Sequence, residues 1–174
     1  MVDTKILQGK RILIVDDEPD ILETLVDLLD MCLIDTAQNF ESAKKFLEEK
    51  TYDAAIFDIM GVNGYELLTI AKNNNIPALM LTAHALNPLN LAKSIKSGAR
   101  AYLPKDKMAD IDVYLADLFT AIQKGIKKSG GWFEKLKPFF DEKFGPGWKE
   151  KDKAFWQDFN EQFVVSKDEL GTIL

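Results

Sequence analysis

Five short apolar runs, each followed by a stretch of helical periodicity, occupy roughly the first 125 residues and leave few folds open. Ile12-Leu13-Ile14-Val15 is a continuous apolar run rich in β-branched residues, the pattern of a strand buried on both faces. Pro19 opens a helix in which Ile21, Leu22, Leu25, Leu28 and Leu29 recur at helical spacing. Leu33–Ala37 reads as a second strand, followed by a helix with Phe40, Ala43, Phe46 and Leu47 on one stripe. Ala54–Phe57 is a third strand, with a helix near Tyr65–Lys72. Pro77–Leu81 and Ala101–Leu103 are the fourth and fifth strands. Between them a helix over Leu89–Ser97 ends at Gly98, and after them a helix runs from about Ile111 to Lys124. Strict βα alternation requires right-handed crossovers, hence a five-stranded parallel sheet with helices on both faces. Function in such sheets gathers at the carboxyl ends of the strands.

The pattern changes at Ser129-Gly130-Gly131, so the sequence divides into a unit over residues 1–128 and an extension over 129–174. The extension carries all three tryptophans and seven of the eleven phenylalanines. Trp132, Phe133, Leu136, Phe140 and Phe144 make one apolar helical face, and Phe155, Trp156, Phe159 and Phe163 make another. Gly145-Pro146-Gly147 separates them as a turn, and Pro138 is expected to break or kink the first. A helical hairpin is therefore expected, whose aromatic faces must be covered by its own chain, a second copy or another protein. It holds no P-loop, no histidine and no basic recognition helix.

The net charge of −6 and the absence of a basic cluster argue against nucleic acid as a partner. No apolar run reaches the roughly 18 residues of a membrane span. Asp3 stands where a secretion signal would be apolar, and the Lys-Asp-Glu-Leu at 167–170 is internal, so a cytoplasmic location is expected. Cys32 has no partner for an internal disulfide and reads as a small core residue.

Asp16 and Asp17 directly follow the first strand, Asp58 the third, Thr82 the fourth and Lys105 the fifth. All five fall on the carboxyl edge of the expected sheet and can converge. Crowded carboxylates repel unless a cation joins them, and oxygen-only ligation suits a hard ion, Mg²⁺ best. A carboxylate held against such an ion can be a nucleophile toward phosphorus, with a hydroxyl and an ammonium to neutralise the equatorial oxygens.

The segments ILIVDDEPDIL, AAIFDIMGVNGYELL, LMLTAHA and GARAYLPK, in that order, resemble the receiver domain of bacterial response regulators over roughly residues 10–125. Separations of 41 from Asp17 to Asp58, 24 from Asp58 to Thr82 and 23 from Thr82 to Lys105 match the family's habit. The resemblance implies a flavodoxin-like sheet of order 2-1-3-4-5. It implies Asp58 as phospho-acceptor, with Mg²⁺ bound by Asp16, Asp17, Asp58 and the backbone carbonyl of Met60. Thr82 would then bond a phosphoryl oxygen, Lys105 would pair with the phosphoryl group, and Tyr102 matches an aromatic switch whose ring turns inward. Ala83 would leave the approach open, and His84 would sit on the rim or surface.

Two departures from the family pattern stand out. The loop Met60-Gly61-Val62-Asn63-Gly64 is shorter than usual and lacks a proline, and Lys105 is followed by Asp106 where the family usually has a cis proline. The expected partners are a sensor histidine kinase or phosphotransfer protein and an unknown downstream protein, with a homodimer through the hairpin as one option. Self-catalysed phosphorylation and dephosphorylation is the only chemistry expected. A phosphorylation-independent adaptor competes with this reading. A phosphatase with an aspartate nucleophile fits poorly, because the residues after the first strand read Asp16-Asp17-Glu18 instead of Asp-x-Asp.

Overall fold

A computed structural model describes residues 3–163. Among them lie five strands, β1 (Arg11–Val15), β2 (Leu33–Ala37), β3 (Ala54–Phe57), β4 (Ala78–Thr82) and β5 (Ala101–Pro104). Seven helices accompany them: α1 (Pro19–Leu28), α2 (Phe40–Glu49), α3 (Gly64–Asn73), α4 (Pro88–Lys96), α5 (Ile111–Gln123), α6 (Gly131–Phe144) and α7 (Lys153–Gln162). The sheet is parallel throughout, in the order β2-β1-β3-β4-β5 expected for a flavodoxin-like fold. β3, β4 and β5 are buried along their whole length, as helices on both faces demand.

The helix starts follow from local chemistry. Pro19 and Pro88 occupy the first turns of α1 and α4, where a missing N–H costs nothing. Asn39 and Asn87 cap α2 and α4 with their side-chain oxygens, which accept from the N–H groups of Ser42 and Asn90. Cys32 is half-buried instead of fully in the core; its thiol donates to the Leu7 carbonyl, and burial pushes its pKa up to about 11.

The hairpin exists, with a short 3₁₀ segment (Trp148–Asp152) between its helices. Of the break or kink expected at Pro138, the break does not occur: helix α6 continues through the proline. Proline removes one intrahelical hydrogen bond. Here that loss is outweighed by burial of Trp132, Phe133, Leu136 and Phe140, each worth about 1.5–3 kcal/mol. The hairpin's aromatic faces are covered within the chain. Phe133 lies 5.0 Å, ring to ring, from both Trp156 and Phe159, and Trp148 packs edge-on to Trp156 at 5.1 Å. Helix α6 packs on α5 and β5. The Lys-Asp-Glu-Leu stretch at 167–170 lies outside the described residues.

Candidate functional site

Register puts the acidic residues side by side. Val15 of β1 pairs with Phe57 of β3, so Asp16 and Asp58 leave adjacent strands at the same level. Their backbones are tied down as well: the Asp16 N–H donates to the Ala37 carbonyl, and the Asp58 N–H to that of Val15. Thr82 pairs with Pro104, so Lys105 emerges one residue beyond that pair.

Carboxylate oxygens of Asp16, Asp17, Glu18 and Asp58 all lie within 4.8 Å of one another. Asp16 and Asp58 are buried, whereas Asp17 and Glu18 are exposed. Into this cluster Lys105, itself buried, sends its ammonium to 2.8 Å from Asp16 Oδ2, 3.0 Å from Glu18 Oε1 and 3.2 Å from Asp58 Oδ2. Every peptide bond among the described residues is trans, Lys105–Asp106 included, and the lysine still reaches all three carboxylates.

The electrostatics follow from this crowding. Burial, then the neighbouring Asp16 charge, pushes the Asp58 carboxyl up to about 6, against the pull of Lys105. Burial likewise raises Asp16, with Lys105 opposing. Glu18, at the rim, is lowered by its hydrogen bond from Lys105. For Lys105, burial disfavours the charge, but the carboxylates of Asp16 and Glu18 more than offset it and the pKa rises. One ammonium thus serves three carboxylates, and Asp58 is held where its ionised form is costly. An oxygen-rich cluster of this kind is chemically suited to a hard divalent cation.

Two glycines make room for the cluster. At Gly61, with φ +86°, a Cβ would stand 2.5 Å from Asp17 Oδ2. At Gly64, which opens α3, a Cβ would collide with the backbone carbonyl of Asp58. The short loop noted in the sequence therefore wraps closely around both aspartates, with Asn63 in the left-handed region at φ 57°. In the sequence Gly61 stands out only as a departure from the family pattern, and the one signal for Glu18 is its position directly after the aspartate pair, which resembles ordinary helix-capping charge.

The remaining candidates form a second chain of contacts. The buried Thr82 hydroxyl accepts from the Ala85 N–H at 3.2 Å. The Tyr102 hydroxyl donates to the Ala85 carbonyl at 2.6 Å and accepts from the Asn87 N–H at 3.1 Å. Tyr102 is 0 % exposed, its ring turned in toward the loop after β4. Ala83 and His84 lie exposed at the start of that loop, and the Met60 side chain is exposed beside Gly61.

Comparison with known proteins gives a consistent answer. Residues 12–116 match the response regulator receiver domain. The chain is 32 % identical over 136 residues to the two-component response regulator ARR18 of Arabidopsis thaliana, covering 75 % of this chain and 20 % of that protein. It is 31 % identical over 105 residues to the transcriptional regulatory protein TcrA of Mycobacterium tuberculosis, covering 57 % of this chain and 41 % of that protein. Among solved structures, a CheY-like receiver domain protein from Methanospirillum hungatei superimposes with a TM-score of 0.55 at 27 % identity, covering 68 % of this chain and 94 % of the other. A response regulator receiver domain protein from Clostridium thermocellum gives 0.54 at 27 % identity, covering 66 % and 98 %. The chain thus spans less than half the length of these two curated relatives, and the family match runs from β1 into α5.

Proposed function

The chain belongs to the response regulator receiver family, and from that premise we propose that it is a phosphorylation switch which accepts a phosphoryl group on Asp58 from a sensor histidine kinase or phosphotransfer protein. The observation that carries this reading is the convergence of Asp16, Asp17, Asp58 and the buried Lys105 ammonium at one sheet edge. Asp16, Asp17 and Asp58, with the Met60 carbonyl, would hold Mg²⁺, which supplies the positive charge that lets these carboxylates ionise together.

Asp58 is the nucleophile: one of its carboxylate oxygens attacks phosphorus and the donor's leaving group departs with the electron pair of the broken bond. Lys105 neutralises charge on the transferred group, and the Thr82 hydroxyl turns from Ala85 to donate to a phosphoryl oxygen. Glu18 takes part by holding Lys105 from the solvent side. The proposed output is contact with another protein, which an acidic, aromatic-rich extension suits better than contact with DNA. Its working place is the cytoplasm, in keeping with the absence, among the described residues, of any helix long and apolar enough to cross a membrane.

Incubation with acetyl phosphate and Mg²⁺, read by intact-protein mass, tests the assignment. A single phosphoryl adduct is expected on the native chain and none on Asp58→Asn. An equal adduct on both refutes it, and no adduct together with no Mg²⁺ binding favours the adaptor reading.

A further inference from the structure

The extension does more than cover apolar surface. We propose that the α6–α7 hairpin is the receiver's resident partner, docked in cis on the face formed by α4, β5 and α5, and that its hold is coupled to Asp58 through the Tyr102 ring. This rests on the reading of Asp58 as phospho-acceptor.

Contacts on three elements define the docking face. On β5, the Phe140 ring of α6 packs against Tyr102 with centroids 6.1 Å apart. On α5, Asp117 pairs with Lys135 of α6 at 2.9 Å. On α4, Lys96 pairs with Asp152 at 3.2 Å and lies over the Phe155 ring at 5.2 Å. Any second copy or other protein reaches this face only by displacing the hairpin.

Tyr102 joins the docking face to the site. One end of the residue, its hydroxyl, holds Ala85 and Asn87 in the loop after β4, and the Ala85 N–H in turn occupies the Thr82 hydroxyl. The ring meets Phe140, and no part of the residue is exposed. With the hairpin docked, the ring has no solvent side to turn into, so outward rotation requires α6 to move. Docked hairpin, inward Tyr102 and the present loop conformation therefore form one packed arrangement. A phosphoryl group that draws the Thr82 hydroxyl toward Asp58 releases the Ala85 N–H, and the loop then depends on the inward Tyr102 hydroxyl, which holds the Ala85 carbonyl and the Asn87 N–H. Ligation of Asp58 and docking of the hairpin both favour the inward ring, so each strengthens the other by the same factor.

The test uses the full chain with Mg²⁺ and beryllofluoride, a phosphoryl mimic. Bound beryllofluoride is followed by ¹⁹F NMR, and amide exchange is followed across 131–162. Slowing of exchange in α6 and α7 by roughly 5- to 100-fold on ligation is expected, the range that coupling energies between sites usually span. Phe140→Leu, which keeps an apolar side chain but loses the ring, is expected to weaken beryllofluoride binding at least about fivefold. Tyr102→Phe keeps the ring against Phe140 and lacks the hydroxyl, so its hairpin stays docked while the ligand-induced slowing shrinks. Bound beryllofluoride with unchanged or faster exchange in α6 and α7 overturns the coupling, as does unaltered affinity in Phe140→Leu. If no Asp58-dependent ¹⁹F signal appears in the native chain, the phospho-acceptor reading itself fails, and the coupling with it.

Discussion

Replacing the proposed nucleophile should make this protein more stable. Asp58 is buried beside Asp16 and its carboxyl is pushed up to about 6 from the ordinary 3.8. A carboxyl whose folded pKa lies above its unfolded one keeps its proton longer in the native state. Its contribution to stability is therefore undiminished below about pH 4 and falls as pH rises through 4 to 6. At 1.36 kcal/mol per pH unit, the native state at pH 8 without divalent metal carries a penalty of about 3 kcal/mol from this one group. Asp58→Asn removes the charge and keeps an oxygen to accept from Lys105, now 3.2 Å away. A less well-satisfied buried amide costs about 1 kcal/mol. The net gain should be about 2 kcal/mol, or about 4–8 °C in Tm for a chain of this size. Calorimetry in chelator at pH 8 and at pH 4 is the assay. The advantage of Asp58→Asn should be large at pH 8 and vanish at pH 4, and adding Mg²⁺ at pH 8 should raise the native protein more than the variant. An Asp58→Asn protein no more stable than the native one at pH 8, or one with the same advantage at both pH values, would refute the electrostatic account.

Three further outcomes follow from named contacts. Lys105→Met removes the ammonium shared by Asp16, Glu18 and Asp58, and leaving the buried Asp16 and Asp58 charge uncompensated costs about 3–5 kcal/mol; urea unfolding at pH 8 should show that loss, and a smaller one at pH 5 where Asp58 takes up its proton. Gly61→Ala drives a Cβ into the Asp17 carboxylate at a positive φ, so isothermal titration should find Mg²⁺ affinity lowered about tenfold, with a stability cost of about 1–2 kcal/mol. Unchanged Mg²⁺ binding in that variant would remove Asp17 from the ligand set. Phe133→Ala opens a cavity among Trp132, Trp156, Phe159 and Phe140 and should cost about 3–5 kcal/mol, read by chemical denaturation followed through tryptophan fluorescence.

Much of this was legible in the sequence because the receiver's residues act locally. Pro19, Asn39 and Pro88 start helices by rules that need no tertiary context, and the apolar runs at β1, β3 and β4 announce strands buried on both faces. Strand ends are equally readable, which is why Asp16, Asp17, Asp58 and Lys105 could be brought to one edge before any distance was known. What escaped was the part decided by contact between distant segments. Glu18 joins Lys105 across 87 residues, and nothing in its neighbourhood marks it off from a capping charge. Gly61 is explained by the Asp17 side chain it admits, a long-range approach that a short loop sequence does not encode. At Pro138 local propensity allows a break or a kink, and it is aromatic burial, a matter of distant contacts, that keeps the helix continuous. The docking site of the hairpin is likewise a tertiary fact.

That docking site bears on how the switch can work. Helices of 14 and 10 residues, one of them with a proline in its interior, are marginal in isolation. They are ordered here by burying Phe133, Phe140, Trp148 and Trp156, with Phe140 set against Tyr102 of β5. β5 is an edge strand, and an exposed edge invites pairing with other chains. Its four residues are nevertheless all buried, because α4 and α6 close over it. Folding of the hairpin and docking of the hairpin are then one event. Loss of the phosphoryl group from Asp58 frees the Tyr102 ring to loosen α6, which uncovers β5 and weakens both helices together, so a modest bias at Asp58 is converted into a large change of surface. An effector with its own independent core would report the same bias only through its linker.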